Sequence, residues 1–210
     1  MLTLSQIIFG VNDLDAATAR FRALGFDVLD GGVHPGVGTA NRVIPLGAQY
    51  LELLGVVAPD LARGSEYGRA LLRAIAEGDR LVRWSLRTDA IEDVAARLRI
   101  AVEHRKRLRP DGVLLTWRAA GLEWALADAT MPFFMQWDHA EQYPGAMPAR
   151  HPNGARAVTA LSVAPRDMTQ FRRWVEGADA PLRLAADQPT GLLGVGVQTD
   201  TGELTIMGRD

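Results

Sequence analysis

Hydrophobic positions from Leu4 to Val11 form a run rich in branched residues, which predicts a strand, and the run ends at Asn12-Asp13-Leu14-Asp15, a sequence able to cap a helix. Leu14, Ala17, Phe21 and Leu24 then fall on one helical stripe that stops at Gly25. Phe26 to Leu29 reads as a strand and Gly31 to Gly38 as a long loop. Arg42 to Leu46 and Gln49 to Val56 read as two more strands joined at Gly47. The order is β-α-β-β-β. A connecting helix is predicted from about Ser65 to Ala76, after which the order recurs. Leu81 to Arg87 is a strand, and Ile91, Val94 and Leu98 mark a helix. Val113 to Ala119, Leu122 to Leu126 and Phe133 to Trp137 are expected strands.

A Pro-rich linker from Tyr143 to Pro152 precedes a third set: strand Val158 to Ala164, helix Asp167 to Glu176, and strands near Leu182 to Ala185, Leu192 to Gln198 and Glu203 to Met207. A period of about 75 residues implies internal duplication. The expected fold class is therefore α+β, with repeated βαβββ modules. Residues 1–142 form a pair of them, and residues 143–210 a third, shorter module packed on the same domain.

Composition narrows the function. The 210 residues are 48% hydrophobic, enough for a sizeable core, and a formal net charge of -2 provides no field to attract a polyanion or an anionic bilayer. The absence of cysteine removes disulfides, thiolate metal sites and cysteine nucleophiles, and fits a reducing compartment. The N-terminus lacks the basic segment of a signal peptide, and no apolar run approaches a membrane span. A cytoplasmic protein with a small-molecule ligand is expected, without nucleic acid or membrane as partner and with a homodimer left open.

The stretch Gln6-Ile7-Ile8-Phe9-Gly10-Val11-Asn12-Asp13, then Leu24-Gly25-Phe26, His34-Pro35-Gly36-Val37-Gly38-Thr39-Ala40-Asn41 and Tyr50-Leu51-Glu52-Leu53, resembles the glyoxalase-like domains of the vicinal-oxygen-chelate superfamily. Pro132-Phe133-Phe134-Met135-Gln136-Trp137 and His151-Pro152-Asn153-Gly154-Ala155 extend the similarity over nearly the whole chain. The resemblance implies paired βαβββ modules forming a curved mixed sheet, a cup with helices outside, whose concave face holds a metal that grips two neighbouring substrate oxygens. The first-strand ligand of that superfamily is commonly His, seven residues before the Asp of the strand-to-helix turn; here the position holds Gln6. The last-strand carboxylate matches Glu52, and the corresponding position of the second module matches Gln136. Its first-strand position falls at Val82 or Arg83, neither a ligand. The implied metal set is Gln6, Glu52 and Gln136, with one anion among them, so a divalent cation would bind weakly.

Each residue also has a plainer reading. Alternation puts Tyr50, Glu52 and Leu54 on one face, where Glu52 is either solvated or a cavity carboxylate with a raised pKa acting as ligand or base. Gln6 shares a face with Ile8 and Gly10, and the missing Gly10 side chain would leave room for a ligand; otherwise its amide bonds a neighbouring backbone. His34, taken as catalytic, and His151, taken as substrate-binding with Asn153, would rim one mouth, or else sit in ordinary turns. Asn41 would donate to a bound carbonyl or merely end a strand. Trp84, Trp117, Trp124 and Trp137 line a pocket, Trp137 as a binding residue, or fill the core. The run His104-Arg105-Lys106-Arg107-Leu108-Arg109 grips a phosphate or carboxylate, or is a solvated face. Gly-x-Ser-x-Gly and His-Glu-x-x-His motifs are absent. Two functions compete. One is a metal-assisted lyase or isomerase acting on adjacent oxygens, with Glu52 moving the proton. The other is a non-catalytic binding or sequestering protein of the bleomycin-resistance type.

Overall fold

The computed structural model describes residues 1–109 and 112–209. The first module comprises β1 (Leu2–Val11), α1 (Leu14–Ala23), β2 (Leu29–His34), β3 (Thr39–Leu46) and β4 (Gln49–Val56). Asp13 caps α1 by accepting from the backbone N–H groups of Asp15 and Ala16, and Gly25 follows the helix at a φ of +85°. Two helices, α2 (Pro59–Gly64) and α3 (Glu66–Ala74), lead into the second module: β5 (Arg80–Arg87), α4 (Ile91–Leu98), β6 (Val102–Leu108), β7 (Leu114–Ala120), α5 (Leu122–Ala127) and β8 (Phe133–Trp137).

Two expectations are corrected, and two elements were not expected. Residues 31–34 belong to β2 rather than a loop. The expected connecting helix is α3, capped by Ser65, and the short α2 precedes it without having been expected. Val102 to Leu108, with all of the basic run but Arg109, is strand β6, paired along its length with β7. Leu122 to Leu126, expected as a strand, is the helix α5: Gly121 at a φ of +75° turns the chain out of β7.

Among the described residues the main sheet runs β2-β3-β4-β1-β5-β8-β7-β6. Each module contributes the same order outward from its first strand, and the two meet at the antiparallel β1/β5 pair. The sheet curls until its edges approach, and Arg107 on β6 reaches Asn41 on β3 at 2.9 Å. The rest of the chain forms β9 (Ala157–Ala164), α6 (Met168–Trp174), β10 (Ala178–Asp179), β11 (Leu182–Leu184), β12 (Gly191–Thr199) and β13 (Gly202–Met207). The second sheet runs β11-β9-β12-β13, while β10 joins β1 in parallel.

The convex face carries the main core. Ile7, Phe9, Leu51, Leu53, Trp84 and Phe134 pack there with Phe21 of α1, Val94 of α4, Phe171 and Trp174 of α6, and Leu161 and Val195 of the second sheet. A smaller cluster occupies the concave side, with Ile8, Leu54, Val82, Phe133 and Met135 against Leu71 and Ile75 near α3 and Ala125 of α5. Thus α3 and α5 plug the cup from within, whereas α1, α4 and α6 lie outside as expected. Val82 of β5 and Leu71 and Ile75 at α3 also fill the space beside Gly10, where a Cβ would lie 2.7 Å from Val82 and 2.8 Å from Ile75, so that glycine makes room for packing rather than for a ligand. No helix among the described residues is long and apolar enough to cross a membrane.

Candidate functional site

The concave face encloses a cavity of about 480 Å³. Its floor comes from β1 and β4, where alternation aims Gln6 and Ile8, and Tyr50 and Glu52, inward while their neighbours enter the convex core. A register shift between Leu4 and Gln6 of β1 places consecutive residues Ser5 and Gln6 on the cup side: Ser5 Oγ lies 3.2 Å from the Tyr143 hydroxyl, and Gln6 Nε2 donates to Glu52 Oε2. Tyr143 also donates to the Ala48 carbonyl at 2.8 Å, which folds the linker over one side of the cup.

Glu52 is 4% exposed. Burial raises its pKa, against the opposing pull of the Arg107 cation, hydrogen bonds from Gln6 and Asn41, and the Arg83 cation. Asn41 is the hinge of this network, since its Oδ1 accepts from Arg107 while its amide bonds Glu52. His34 lines the cavity with Nδ1 2.8 Å from Thr39 Oγ1 and Nε2 3.4 Å from Arg107. Burial first, then the Arg107 and Arg83 cations, lower its pKa to about 4. The imidazole is therefore neutral at pH 7, and with Nε2 facing a guanidinium its proton sits on Nδ1, toward Thr39. The walls are apolar: Val43, Phe133 and Met135, with Trp117 and Trp137 tilted against each other at 5.4 Å between ring centroids. Trp137 Nε1 and Gln6 Oε1 are buried and have no hydrogen-bond partner among the described residues.

The structure thus brings together Gln6, His34, Asn41, Glu52 and Trp137 from the residues expected at the site. It does not bring Gln136 there. Phe133, Met135 and Trp137 take the inward positions of β8, so Gln136 faces outward, where its Oε1 accepts from the Ile91 N–H at the start of α4. His151 and Asn153 lie outside the cavity as well, which overturns the shared rim. His151 accepts from the Asp27 N–H at 2.9 Å and donates to the Pro45 carbonyl at 2.6 Å. Asn153 donates to the Leu24 carbonyl and accepts from the Ala155 N–H. Both fasten the linker to the first module.

The donor set does not fit a divalent metal. With Gln136 turned away, Glu52 is the one carboxylate beside Gln6, whose amide presents its N–H side to that carboxylate, and guanidinium groups stand nearby. No three His, Asp or Glu among the described residues are grouped so as to hold an ion. The expectation of Gln6, Glu52 and Gln136 as ligands loses its geometry.

Sequence reasoning left Arg107 in a run read either as a grip for a phosphate or carboxylate or as a solvated face, and it set Arg83 aside because it is no metal ligand. A register shift in the β1/β5 ladder leaves Val82 unpaired, so that Val82 and Arg83 both turn into the cup. Arg83 is 2% exposed, its guanidinium 4.2 Å from the centre of the Tyr67 ring.

A glyoxalase-like domain model matches residues 6–178. No curated protein matches the chain in sequence. Among solved structures, a hypothetical protein from Staphylococcus aureus is similar at 17% identity and a TM-score of 0.70, over 93% of this chain and 90% of that one. A xylose isomerase-like TIM barrel/4-hydroxyphenylpyruvate dioxygenase fusion protein is similar at 11% identity and a TM-score of 0.54, over 94% of this chain and 37% of that one. These likenesses concern the fold. A Streptomyces coelicolor methylmalonyl-CoA epimerase aligns at 21% identity over 67% of this chain and 99% of its own, with a TM-score of 0.47, too low to bear on function. The match spans both modules and the cup they build, and the chain belongs to the glyoxalase-like domain family of the vicinal-oxygen-chelate superfamily.

Proposed function

We propose that the chain binds a small organic molecule in the cup and acts on it as a lyase or isomerase, with Glu52 moving a proton at a carbon next to an oxygen function. The observation that carries this reading is a carboxyl group, 4% exposed, on the wall of an otherwise largely apolar cavity and next to the Arg107 cation. Burial raises its pKa above that of a free carboxyl group, which makes its carboxylate a stronger base toward a substrate proton. As the proton leaves carbon, negative charge grows on the neighbouring oxygen, and the Arg107 guanidinium supplies a fixed positive charge for it. Neutral His34, bonded to Thr39 and facing Arg107, positions that guanidinium rather than moving the proton itself. No step is routed through a metal, because the donors present do not suit one.

A non-catalytic sequestering role is the second reading. It is favoured by the Trp117–Trp137 pair and by the hydrogen bond that Glu52 already receives from Gln6. One experiment separates the two. A panel of α-hydroxy and α-keto carbonyl compounds is screened by quenching of tryptophan fluorescence, and bound compounds are followed by NMR in deuterated water. The proposed reaction predicts deuterium incorporation next to the carbonyl, lost in Glu52→Gln while binding persists. Binding without incorporation, unchanged by Glu52→Gln, supports sequestration and rejects the reaction.

A further inference from the structure

We infer that the cup is built for a small organic monoanion, a carboxylate carried on a flat apolar body. This names the ligand class of the cavity proposed above and rests on that proposal. The basic run of β6 is more than a solvated face: Arg105, Lys106 and Arg107 all line the cavity. Arg105 and Lys106 are exposed at its mouth, Arg105 paired with Glu103, while half-buried Arg107 reaches inward to Asn41. Arg83 lies deeper and is almost wholly buried. No carboxylate pairs with it among the described residues, its Nε and Nη2 find no acceptor there, and it meets Tyr67 through a hydrogen bond and over the face of its ring.

Against these cations the cavity sets Glu52 inside and exposed Glu66 at the rim. Arg83 and Arg107 both act on Glu52, and His34 is neutral and contributes no charge. Arg107 on the cavity wall and Arg83 buried behind Tyr67 thus set two guanidinium groups against one carboxyl group, an imbalance of at least one positive charge. A buried guanidinium without a counter-ion is costly, and a ligand bringing one negative charge removes that cost. The apolar walls and the paired Trp117 and Trp137 rings exclude a bare inorganic anion as the best fit and suit a planar body. The unpartnered Gln6 Oε1 adds an acceptor for a hydroxyl or N–H donor on the same molecule.

The test titrates the full chain with 2-naphthoate, with its neutral isostere 2-naphthamide and with inorganic phosphate, reading heat and tryptophan fluorescence. The expected result is naphthoate bound at least about ten-fold more tightly than the amide, a preference that shrinks with added salt, and no displacement by millimolar phosphate. Arg107→Gln and Arg83→Gln should each bring naphthoate down toward the amide. Should Arg83→Gln fail to fold, the half-exposed Arg107 position still decides the matter. Equal affinity for acid and amide overturns the anion inference while leaving a small-molecule cup intact. Phosphate competing as well as naphthoate overturns the apolar body, and failure of both naphthalene probes to bind overturns this inference together with the cup reading beneath it.

Discussion

Acidification reads the charge inside the cup directly through His34. Its ring is held between Thr39 and Arg107, and its pKa falls from 6.5 to about 4 because burial, then the Arg107 and Arg83 cations, oppose the imidazolium. Between pH 6.5 and about 4 the unfolded chain thus binds more protons at this site than the folded one, and folding stability drops as pH falls through that window. At about 1.4 kcal/mol per pH unit the full effect is roughly 3 kcal/mol. Glu52 works in the opposite sense, since burial raises its pKa and its protonation favours the fold as pH falls. The whole-protein curve mixes the two, but comparison with His34→Gln isolates the histidine. Urea unfolding followed by tryptophan fluorescence at pH 7.5, 6.0, 5.0 and 4.5 measures the gap between wild type and variant. It should shift in the variant's favour by roughly 2 to 3 kcal/mol over this range. A gap constant to within about 0.5 kcal/mol would mean that His34 is not held neutral by those cations, and the electrostatic account of the cup would fall with it.

Three further outcomes are expected. Gly10→Ala drives a methyl into Val82 and Ile75 and should cost about 1 to 3 kcal/mol in chemical denaturation. His151→Ala strips partners from the Asp27 N–H and the Pro45 carbonyl and should destabilise by about 2 kcal/mol while leaving cup affinity unchanged, a result calorimetry with any cup ligand can check. Glu52→Gln removes a group that burial disfavours in its charged form, so its melting temperature at pH 8 should rise relative to wild type, with the advantage fading toward pH 4.5.

What the sequence discloses depends on where alternation is clean. In β4 the inward residues Tyr50, Glu52 and Leu54 follow period two without interruption, and the same holds for Gln6 and Ile8 of β1. Strand β8 is Phe-Phe-Met-Gln-Trp, mostly apolar on both faces because helix α4 and Trp174 of α6 cover its back. Parity is unreadable there, and Gln136 was placed on the wrong side. Strand β6 carries almost no apolar residue, so the pattern that marks other strands is missing; it exists because β7 supplies its backbone partners. The apolar run of α5 is too short for periodicity to distinguish helix from strand. Arg83 depends on a shift in ladder register, a backbone event with no residue signature. His151 and Asn153 resemble loop residues of a site in sequence, but their hydrogen bonds all go to the backbone of their own chain.

The central claim is a cup that works through Glu52 and protein cations and not through a bound metal ion. Elemental analysis and native mass spectrometry of freshly purified protein, repeated on Glu52→Ala and after chelation, test it most directly. The account predicts metal well below one ion per chain, and ligand binding by the wild type that chelation leaves unchanged. One tightly held ion per chain, lost in Glu52→Ala and required for ligand binding, would contradict it.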